Sequence, residues 1–322
     1  MDRSPSMIRG RGIAHAHHGE FLQGVFRSPG GARRRGLVSL PCGIFGSEAS
    51  FVYRPKGVLA AGPGGKWKAR RAAEIALSRL GRGGAGGRLT LRCRVPPRLG
   101  LGSSTSDAVA AIRAVADALG ARFSAEEISS IAVEAERASD PAAYGRRCLL
   151  FAQREGEVIE DFRRAAPDFE VIGFNADPTG RGVDTLKLTP PAYSTAEIDR
   201  CDAILAAFRC ALERGDLAGA AGAATRSARL NQRHLRLNGF DLIEETAERI
   251  GALGIQIAHS GSVAGFLFPP GGAAHPDLAK GLAALRSEIG IAGFWRFRTG
   301  GGGAPEIQIP VTHRHRRRPA LV

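Results

Sequence analysis

The sequence predicts a globular protein of two domains, each built from both helices and strands. Its 322 residues are about what two average domains contain. Hydrophobic residues make up 43% of the chain and charged residues 24%, which is typical of a folded protein and excludes a wholly disordered chain. Apolar residues recur at helical spacing in some segments and alternate with polar residues in others, and both patterns occur in each half of the chain.

The net charge of +14 invites an interpretation as a nucleic-acid-binding protein. Nucleic acid and a small anionic substrate satisfy such a charge equally well. Only five of the 45 basic residues are lysines, and arginine, alanine and glycine are abundant together, as GC-rich codons would produce. We therefore do not expect nucleic acid to be the main partner. The sequence leaves the oligomeric state open.

Hydropathy and cysteine usage indicate the compartment. No stretch approaches the roughly 18 apolar residues that a membrane span needs, so no membrane partner is expected. The five cysteines are odd in number, widely spaced and free of any CxxC pair, which predicts reduced thiols. The N-terminus has arginines but no apolar core of a secretory signal. These observations predict a cytoplasmic protein.

The first half alternates strands and helices. Two strands are expected at 36–42 and 49–53, a helix at 66–80 and a strand at 88–95. A glycine-rich turn then leads into a helix that ends at Gly120. A second helix follows at about 124–137, with Ser124 as its N-cap and Glu127 at the capping-box position. Strands are expected again at 148–160 and 169–175.

The second half is richer in helices. Helices are expected at about 196–214, 216–230, 240–252 and 276–289, with strands at 254–258, 264–268 and 293–298. We place the domain boundary near residue 190, in the linker-like segment 187–195, which divides the chain into 1–190 and 191–310. Residues 311–322 form a basic tail with no apolar face.

The segment from Pro97 to Asp107, PRLGLGSSTSD, carries the strongest functional signal. A strand ends, two glycines permit unusual backbone torsions, and paired serines open a helix. Such a segment directs backbone N–H groups and the positive end of a helix dipole at one point, which suits a phosphate group. It is not a P-loop, because no lysine follows the second glycine. The structural alternative is a plain helix start, with Ser104 as N-cap and Asp107 three residues later.

Three further segments carry weaker signals. GEFLQG (19–24) follows three histidines at 15, 17 and 18, whose spacing does not favour a metal site, and Glu20 alone would be a solvated strand residue. In EAERASDPAAY (134–144) an aspartate stands in a Ser-Asp-Pro turn, which can hold a carboxylate in a cleft or simply form a turn. In IQIAHSGSVAGFLF (255–268) two apolar runs flank a tight loop that could meet a ligand or only close a hairpin.

Together the four segments resemble the GHMP kinases, the superfamily of galactokinase, homoserine kinase, mevalonate kinase and phosphomevalonate kinase. PRLGLGSSTSD is similar to that superfamily's ATP loop, Pro-x-x-x-Gly-Leu-Gly-Ser-Ser, and 255–268 stands where its C-terminal glycine-rich motif belongs. The closest resemblance is to the bacterial L-threonine kinases of cobalamin biosynthesis. Their Gly-Glu-x-x-Gln-Gly, Leu-Val-Ser-x-Pro, Ser/Thr-Asp and Ala-His-Ser-Gly segments are matched by 19–24, 37–41, 139–140 and 258–261.

The chain departs from the threonine kinases in two segments. Their Cys-Pro-Ala-Ser-Cys before Gly-Glu is replaced by Ala14 to His18, and their Glu-Pro-Ser/Thr-Asp is one residue longer here, Glu136 to Asp140. Both segments lie where that family places the phosphoryl acceptor. Kinase chemistry is therefore better supported than the identity of the acceptor.

The resemblance implies an α+β fold of two domains, a ribosomal S5 domain 2-like N-terminal domain and a ferredoxin-like C-terminal domain. It implies a kinase that uses ATP and Mg²⁺ and phosphorylates a small hydroxy amino acid, with L-threonine first. The implied ATP-binding residues are Pro97, Gly100, Leu101, Gly102, Ser103 and Ser104. Asp140 would be catalytic, and Ser104 with Glu136, or else Glu134, would hold the metal. The acceptor would be lined by Glu20, Gln23, His259, Ser260 and Gly261.

Two other functions stay open. The chain could phosphorylate another small alcohol of a specialised pathway. It could also be a binding module that holds a nucleotide without transferring phosphate, although Ser104 and Asp140 fill the positions that an active kinase needs.

Overall fold

The computed structural model describes residues 8–28, 30–96, 99–177, 192–259, 262–291, 293–301 and 306–308. The predicted boundary near 190 and the tail after 310 fall outside these residues. Among the described residues, no helix is both long and apolar enough to cross a membrane.

Both halves of the chain contain helices and strands, as the patterns predict. The helices are α1 (Trp67–Arg79), α2 (Ser103–Ala118), α3 (Ala125–Glu136), α4 (Thr195–Arg214), α5 (Leu217–Asn231), α6 (Phe240–Arg249) and α7 (Leu278–Ile289). The strands are β1 (Arg9–Arg27), β2 (Arg33–Arg54), β3 (Leu59–Gly62), β4 (Gly86–Cys93), β5 (Arg147–Ala152), β6 (Glu157–Ala165), β7 (Glu170–Asn175), β8 (Gly254–Ile257), β9 (Val263–Phe268), β10 (Phe294–Arg298) and β11 (Glu306–Gln308). A short 3₁₀ helix, Pro141–Tyr144, precedes β5.

The described strands form one sheet that runs through both halves of the chain. Its order is β11-β10-β7-β9-β8-β1-β2-β4-β3, and β5 pairs with β2 and with β6. Neighbours are antiparallel except β3 and β4. β1 joins β8 at a single register pair, Glu20 with Ile257. Because β7 pairs with β9 and β10 of the second half, the division of the chain at 190 remains a prediction.

Two strand predictions were wrong. The segments 36–42 and 49–53 belong to one long strand, β2, because Gly43 and Gly46 interrupt the apolar pattern without ending the ladder to β1. The segment 148–160 is a hairpin, β5 and β6, which turns at 153–156. The capping box at Ser124 is confirmed: its side chain accepts from the Glu127 backbone N–H, and the Glu127 carboxylate accepts from the Ser124 N–H.

Helix α2 lies unusually close to β1. A Cβ at Gly10 would stand 2.2 Å from the backbone nitrogen of Ala118, and one at Gly12 would stand 2.1 Å from the carbonyl oxygen of Ala110. The alanines of α2 are buried against this strand together with α1 and α3. Small residues on both elements therefore let helix and strand approach to backbone contact, which fixes the position of the helix.

Candidate functional site

Two glycines in the left-handed region form the turn before α2. Gly100 has φ of 71° and Gly102 has φ of 70°, a conformation that costs other residues about 1–2 kcal/mol. Gly102 is the N-cap of α2 and no side chain caps the helix, so the first backbone N–H groups remain available. The structural alternative with Ser104 as N-cap is therefore wrong. The Leu101 side chain is buried in the core, so only its backbone faces the turn.

The first turn of α2 contacts the end of α3. Ser104 Oγ donates a hydrogen bond of 2.6 Å to Glu136 Oε2, and Thr105 Oγ1 donates one of 2.9 Å to Glu136 Oε1. Glu134 points elsewhere and pairs with Arg79 at 3.0 Å. Of the two glutamates that the sequence left open, Glu136 is thus the one beside Ser104.

Glu136 is 3% exposed, and burial raises the pKa of its carboxyl to about 7. The hydrogen bonds from Ser104 and Thr105 and the nearby Lys68 oppose this rise in pKa. A hydroxyl and a carboxylate oxygen 2.6 Å apart are the hard oxygen donors that Mg²⁺ prefers. The donor set therefore fits a magnesium ion that also binds phosphate oxygens.

Asp140 follows α3 and faces the same turn. Thr105 Oγ1 lies 3.3 Å from Asp140 Oδ2, so one threonine hydroxyl spans Glu136 and Asp140. Between α3 and Asp140 the chain passes through Arg137, the C-cap of α3, which has φ of 70°. Asp140 in turn precedes the 3₁₀ helix that begins at Pro141. The proline and the left-handed cap hold the carboxylate in place.

His17 joins Asp140 to β1. Its Nε2 lies 3.6 Å from Asp140 Oδ2 and 3.6 Å from Glu20 Oε1. Glu20 is 3% exposed, so the structural alternative of a solvated strand residue does not apply. Burial, assisted by Asp140 and opposed by His17, raises the pKa of Glu20 to about 7. Ligand atoms of His17, Glu20 and Asp140 lie within 4.8 Å of one another, close enough to surround a single positive group.

The remaining residues that the sequence predicts for the acceptor, where the structure describes them, lie on β1 and just after β8. His259 Nδ1 is 3.1 Å from Gln23 Oε1. Gln23 is fixed by its backbone, because its N–H donates to Ser227 Oγ and its carbonyl accepts from Asn231 Nδ2. Burial lowers the pKa of His259, which favours the neutral ring. Pro97, Ser260 and Gly261 lie outside the described residues.

Sequence reasoning missed two lysines beside the turn. Lys68 Nζ lies 3.7 Å from Glu136 Oε2, and Lys66 pairs with Asp107, which also accepts from Ser47 Oγ at 2.6 Å. The available signal was that two of only five lysines flank Trp67 at the start of α1. Their contact with α2 is long-range, so the sequence could not reveal it.

A cavity of about 770 Å³ adjoins His17 and the segment that follows Asp140. Its lining includes His17, Ser39 and Pro141, which directly follows Asp140. Strand β10 contributes Arg296, Phe297 and Arg298 to the lining. The volume lies within the range of small-molecule sites.

The segment that contains most of the site is similar in sequence to known proteins. A family model for the N-terminal domain of GHMP kinases matches residues 68–145, which include α1, the glycine turn, α2, α3 and Asp140. A homoserine kinase of Thermococcus gammatolerans is 26% identical over 179 residues, 54% of this chain. That match spans 61% of the relative, less than two thirds of its length.

Solved structures share the fold over most of the chain. A homoserine kinase from Cytophaga hutchinsonii superposes with a TM-score of 0.63 at 17% identity, covering 92% of this chain and 96% of that one. The L. major mevalonate kinase in complex with R-mevalonate gives 0.58 at 18% identity, again covering 92% and 96%. The predicted α+β fold of the GHMP kinases is therefore confirmed.

Proposed function

We propose that this chain, which has the GHMP kinase fold and matches the N-terminal domain of those kinases over residues 68–145, transfers the γ-phosphoryl group of ATP to the hydroxyl of a small acceptor. One observation carries the proposal. The hydroxyl of Thr105, in the first turn of α2, lies 2.9 Å from the Glu136 carboxylate and 3.3 Å from the Asp140 carboxylate. An anion-binding helix start thus stands beside two carboxylates, as phosphoryl transfer requires.

The glycine turn binds the phosphates of ATP. Backbone N–H groups from Gly100 to Ser103 meet the phosphate oxygens, and the dipole of α2 adds partial positive charge. Lys68 adds a full charge near the same point, since its ammonium lies 3.7 Å from Glu136. Such preorganised charges favour the transition state because they need no rearrangement during transfer.

Ser104 and Glu136 would hold magnesium, which would supply positive charge to the phosphates during transfer. Their hydrogen bond keeps both oxygens together before the metal arrives. Lys68 stabilises the ionised form of Glu136, which is the form that coordinates a cation.

Asp140 serves the acceptor hydroxyl. The hydroxyl oxygen attacks the γ-phosphorus and forms a new O–P bond, while the bond from that phosphorus to the β,γ-bridging oxygen breaks and ADP leaves. The hydroxyl proton passes to the Asp140 carboxylate. Thr105 and His17 contact Asp140 Oδ2 and keep that oxygen oriented.

The acceptor itself is proposed to be a hydroxy amino acid, with L-threonine first. Glu20, close to Asp140 through His17, suits an ammonium group. Gln23, His259, Ser260 and Gly261 would complete the pocket. Support for threonine is the set of four sequence segments described above, whereas the relative with 26% identity is a homoserine kinase. Another small alcohol, or binding without transfer, remains the alternative.

A release assay for ADP tests the proposal. The protein is incubated with ATP and Mg²⁺, alone and with L-threonine, L-homoserine, L-serine, R-mevalonate or glycerol. We expect ADP to appear only with an acceptor, and fastest with L-threonine. Faster ADP release with L-homoserine would support the kinase activity and make L-homoserine the acceptor instead of L-threonine. ATP binding without release for any acceptor would favour the binding module.

A further inference from the structure

The cavity beside Asp140 has strongly basic walls. Six arginines line it, with one carboxylate: Arg94, Arg113, Arg146, Arg147, Arg296 and Arg298, with Glu170. Four of the guanidinium groups are neutralised by ion pairs. The pairs are Arg94 with Glu48, Arg147 with Asp161, Arg296 with Glu170, and Arg298 with Asp168.

Arg113 and Arg146 are not neutralised. Within the described part of the chain, neither forms an ion pair with a carboxylate. Arg146 is exposed and lines the cavity, and within the same part of the chain no hydrogen bond of its side chain is found either. Arg113 is partly buried, and burial lowers the pKa of its guanidinium with no acidic group opposing the fall. Two positive charges therefore face the cavity without a counter-charge on the protein.

Arg113 is held in a fixed position despite its missing partner. It projects from α2, the helix that begins at the glycine turn. Its Nη1 donates to the Ile13 carbonyl at 2.6 Å and its Nη2 donates to the Ala143 carbonyl at 3.1 Å. Ala143 lies three residues after Asp140, so the guanidinium is fixed relative to the catalytic turn. Its other N–H groups remain free to meet an anion.

The cavity is also larger than a free amino acid requires. A hydroxy amino acid has about eight non-hydrogen atoms and fills on the order of 200 Å³ if each takes roughly the volume of a liquid water molecule. The cavity holds about 770 Å³. An acceptor longer than threonine therefore fits as well.

We infer that this cavity binds an anionic group of the acceptor, a carboxylate or a phosphate, and that Arg113 and Arg146 are its counter-charges. The inference rests on the proposed function for the statement that the bound molecule is the phosphoryl acceptor. A guanidinium matches either group because its N–H donors form a planar fork. A purely structural role, tying β1 to the 3₁₀ helix, accounts for the two carbonyl bonds of Arg113 and leaves Arg146 unexplained.

Binding of inorganic phosphate tests the cavity without catalysis. Titration calorimetry is run with saturating magnesium and β,γ-imido-ATP, which occupies the glycine turn. We expect the wild-type protein to bind phosphate, and Arg113→Gln and Arg146→Gln each to bind it about tenfold or more weakly, the effect of one lost charge-assisted hydrogen bond. Arg88→Gln is the matched control, because Arg88 is exposed on β4, away from the cavity.

The inference is overturned if the wild-type protein binds no phosphate, or if both cavity variants bind it as the Arg88 variant does. Arg146→Gln carries the test if Arg113→Gln fails to fold, because Arg146 is exposed. A structural role alone would lower the melting temperature of the Arg113 variant and leave phosphate binding by the Arg146 variant unchanged.

Paired acceptors then distinguish the two sources of the anion. L-threonine is compared with L-threoninamide, and glycerol 3-phosphate with glycerol. We expect the charged member of one pair to have the lower KM, and Arg113→Gln to raise that KM about tenfold or more with kcat largely kept. Equal KM values within both pairs would overturn the inference. If ADP is released with none of the acceptors, the kinase proposal fails. The phosphate titration then still tests whether the cavity binds an anion.

Discussion

Gly102 lies directly against the imidazole of His17. A Cβ at Gly102 would stand 2.4 Å from His17 Cε1 and 3.3 Å from Asp140 Oδ2. The residue at the N-cap of α2, where we propose that phosphate binds, therefore lies against the two side chains that we assign to the acceptor. Only the absence of a side chain at position 102 allows the two halves of the site to meet.

Replacement of Gly102 by alanine is expected to weaken ATP binding by about tenfold or more. The added methyl group must displace His17 or the turn, so the backbone N–H groups no longer face the phosphates. Gly120→Ala is the control, because Gly120 also has positive φ, 62°, but has open space around it. Both variants lose similar stability from backbone strain. Equal ATP affinities for the two folded variants would remove the turn from the ATP site.

Asp140→Asn is expected to lower kcat by about 10²–10⁴-fold, the usual contribution of a general base, with acceptor KM largely kept. Asp117→Asn controls for the loss of a negative charge. Asp117 does not line the cavity described above, and its carboxylate accepts a hydrogen bond from the Arg11 backbone N–H. A rise in KM for acceptor or magnesium would indicate a binding role instead. A lower melting temperature with unchanged kcat would show that Asp140 stabilises the turn and has no catalytic role.

The free energy of unfolding is expected to fall between pH 5 and pH 8, partly through Glu136. Burial raises its pKa from about 4.5 to about 7, so the folded protein keeps this proton over a range where the unfolded chain has lost it. The contribution of the Glu136 proton to the free energy of unfolding is fully present at low pH and is lost as pH rises through 7. Glu136→Gln should reduce this slope, whereas Glu134→Gln, which removes a surface charge two residues away, should not.

Melting temperatures of the three proteins at pH 5 and pH 8 check the assignment of the proton. Glu20 has a similarly raised pKa and contributes a slope of the same sign in all three proteins. The Glu136 variant therefore loses only part of the pH dependence. An unchanged slope in that variant would show that Glu136 is ionised throughout. Magnesium affinity of the wild-type protein should rise over the same pH range, because the ion competes with the proton.

Removal of residues 311–322 is expected to leave turnover unchanged. The segment VTHRHRRRPALV has no apolar periodicity and therefore little surface to bury. The truncated chain ending at Pro310 is compared with the full chain in kcat, KM and melting temperature. A large loss of turnover with an unchanged melting temperature would mean that arginines of the tail reach the site.

Local features of this fold could be predicted from sequence, and long-range ones could not. The capping box at Ser124 and the glycine turn before α2 are determined by neighbouring residues, so their patterns were sufficient. The continuity of β2 depends on its pairing with β1, which outweighs the turn propensity of its glycines. The contacts of His17 with Asp140 and of Lys68 with Glu136 join residues more than 60 positions apart, and no local pattern records them.

The close approach of Gly10 and Gly12 to α2 links these two positions to the placement of the helix, although they lie far from the glycine turn. Helix α2 has 16 residues, so at 1.5 Å per residue it is about 24 Å long. Gly10 touches one end of it, beside Ala118, and Ser103 and Ser104 stand at the other. A stiff helix transmits displacement along its length, so a side chain at Gly10 would move the serines as well. A substitution at Gly10 would then weaken nucleotide binding although this strand residue lies a full helix length from the glycine turn.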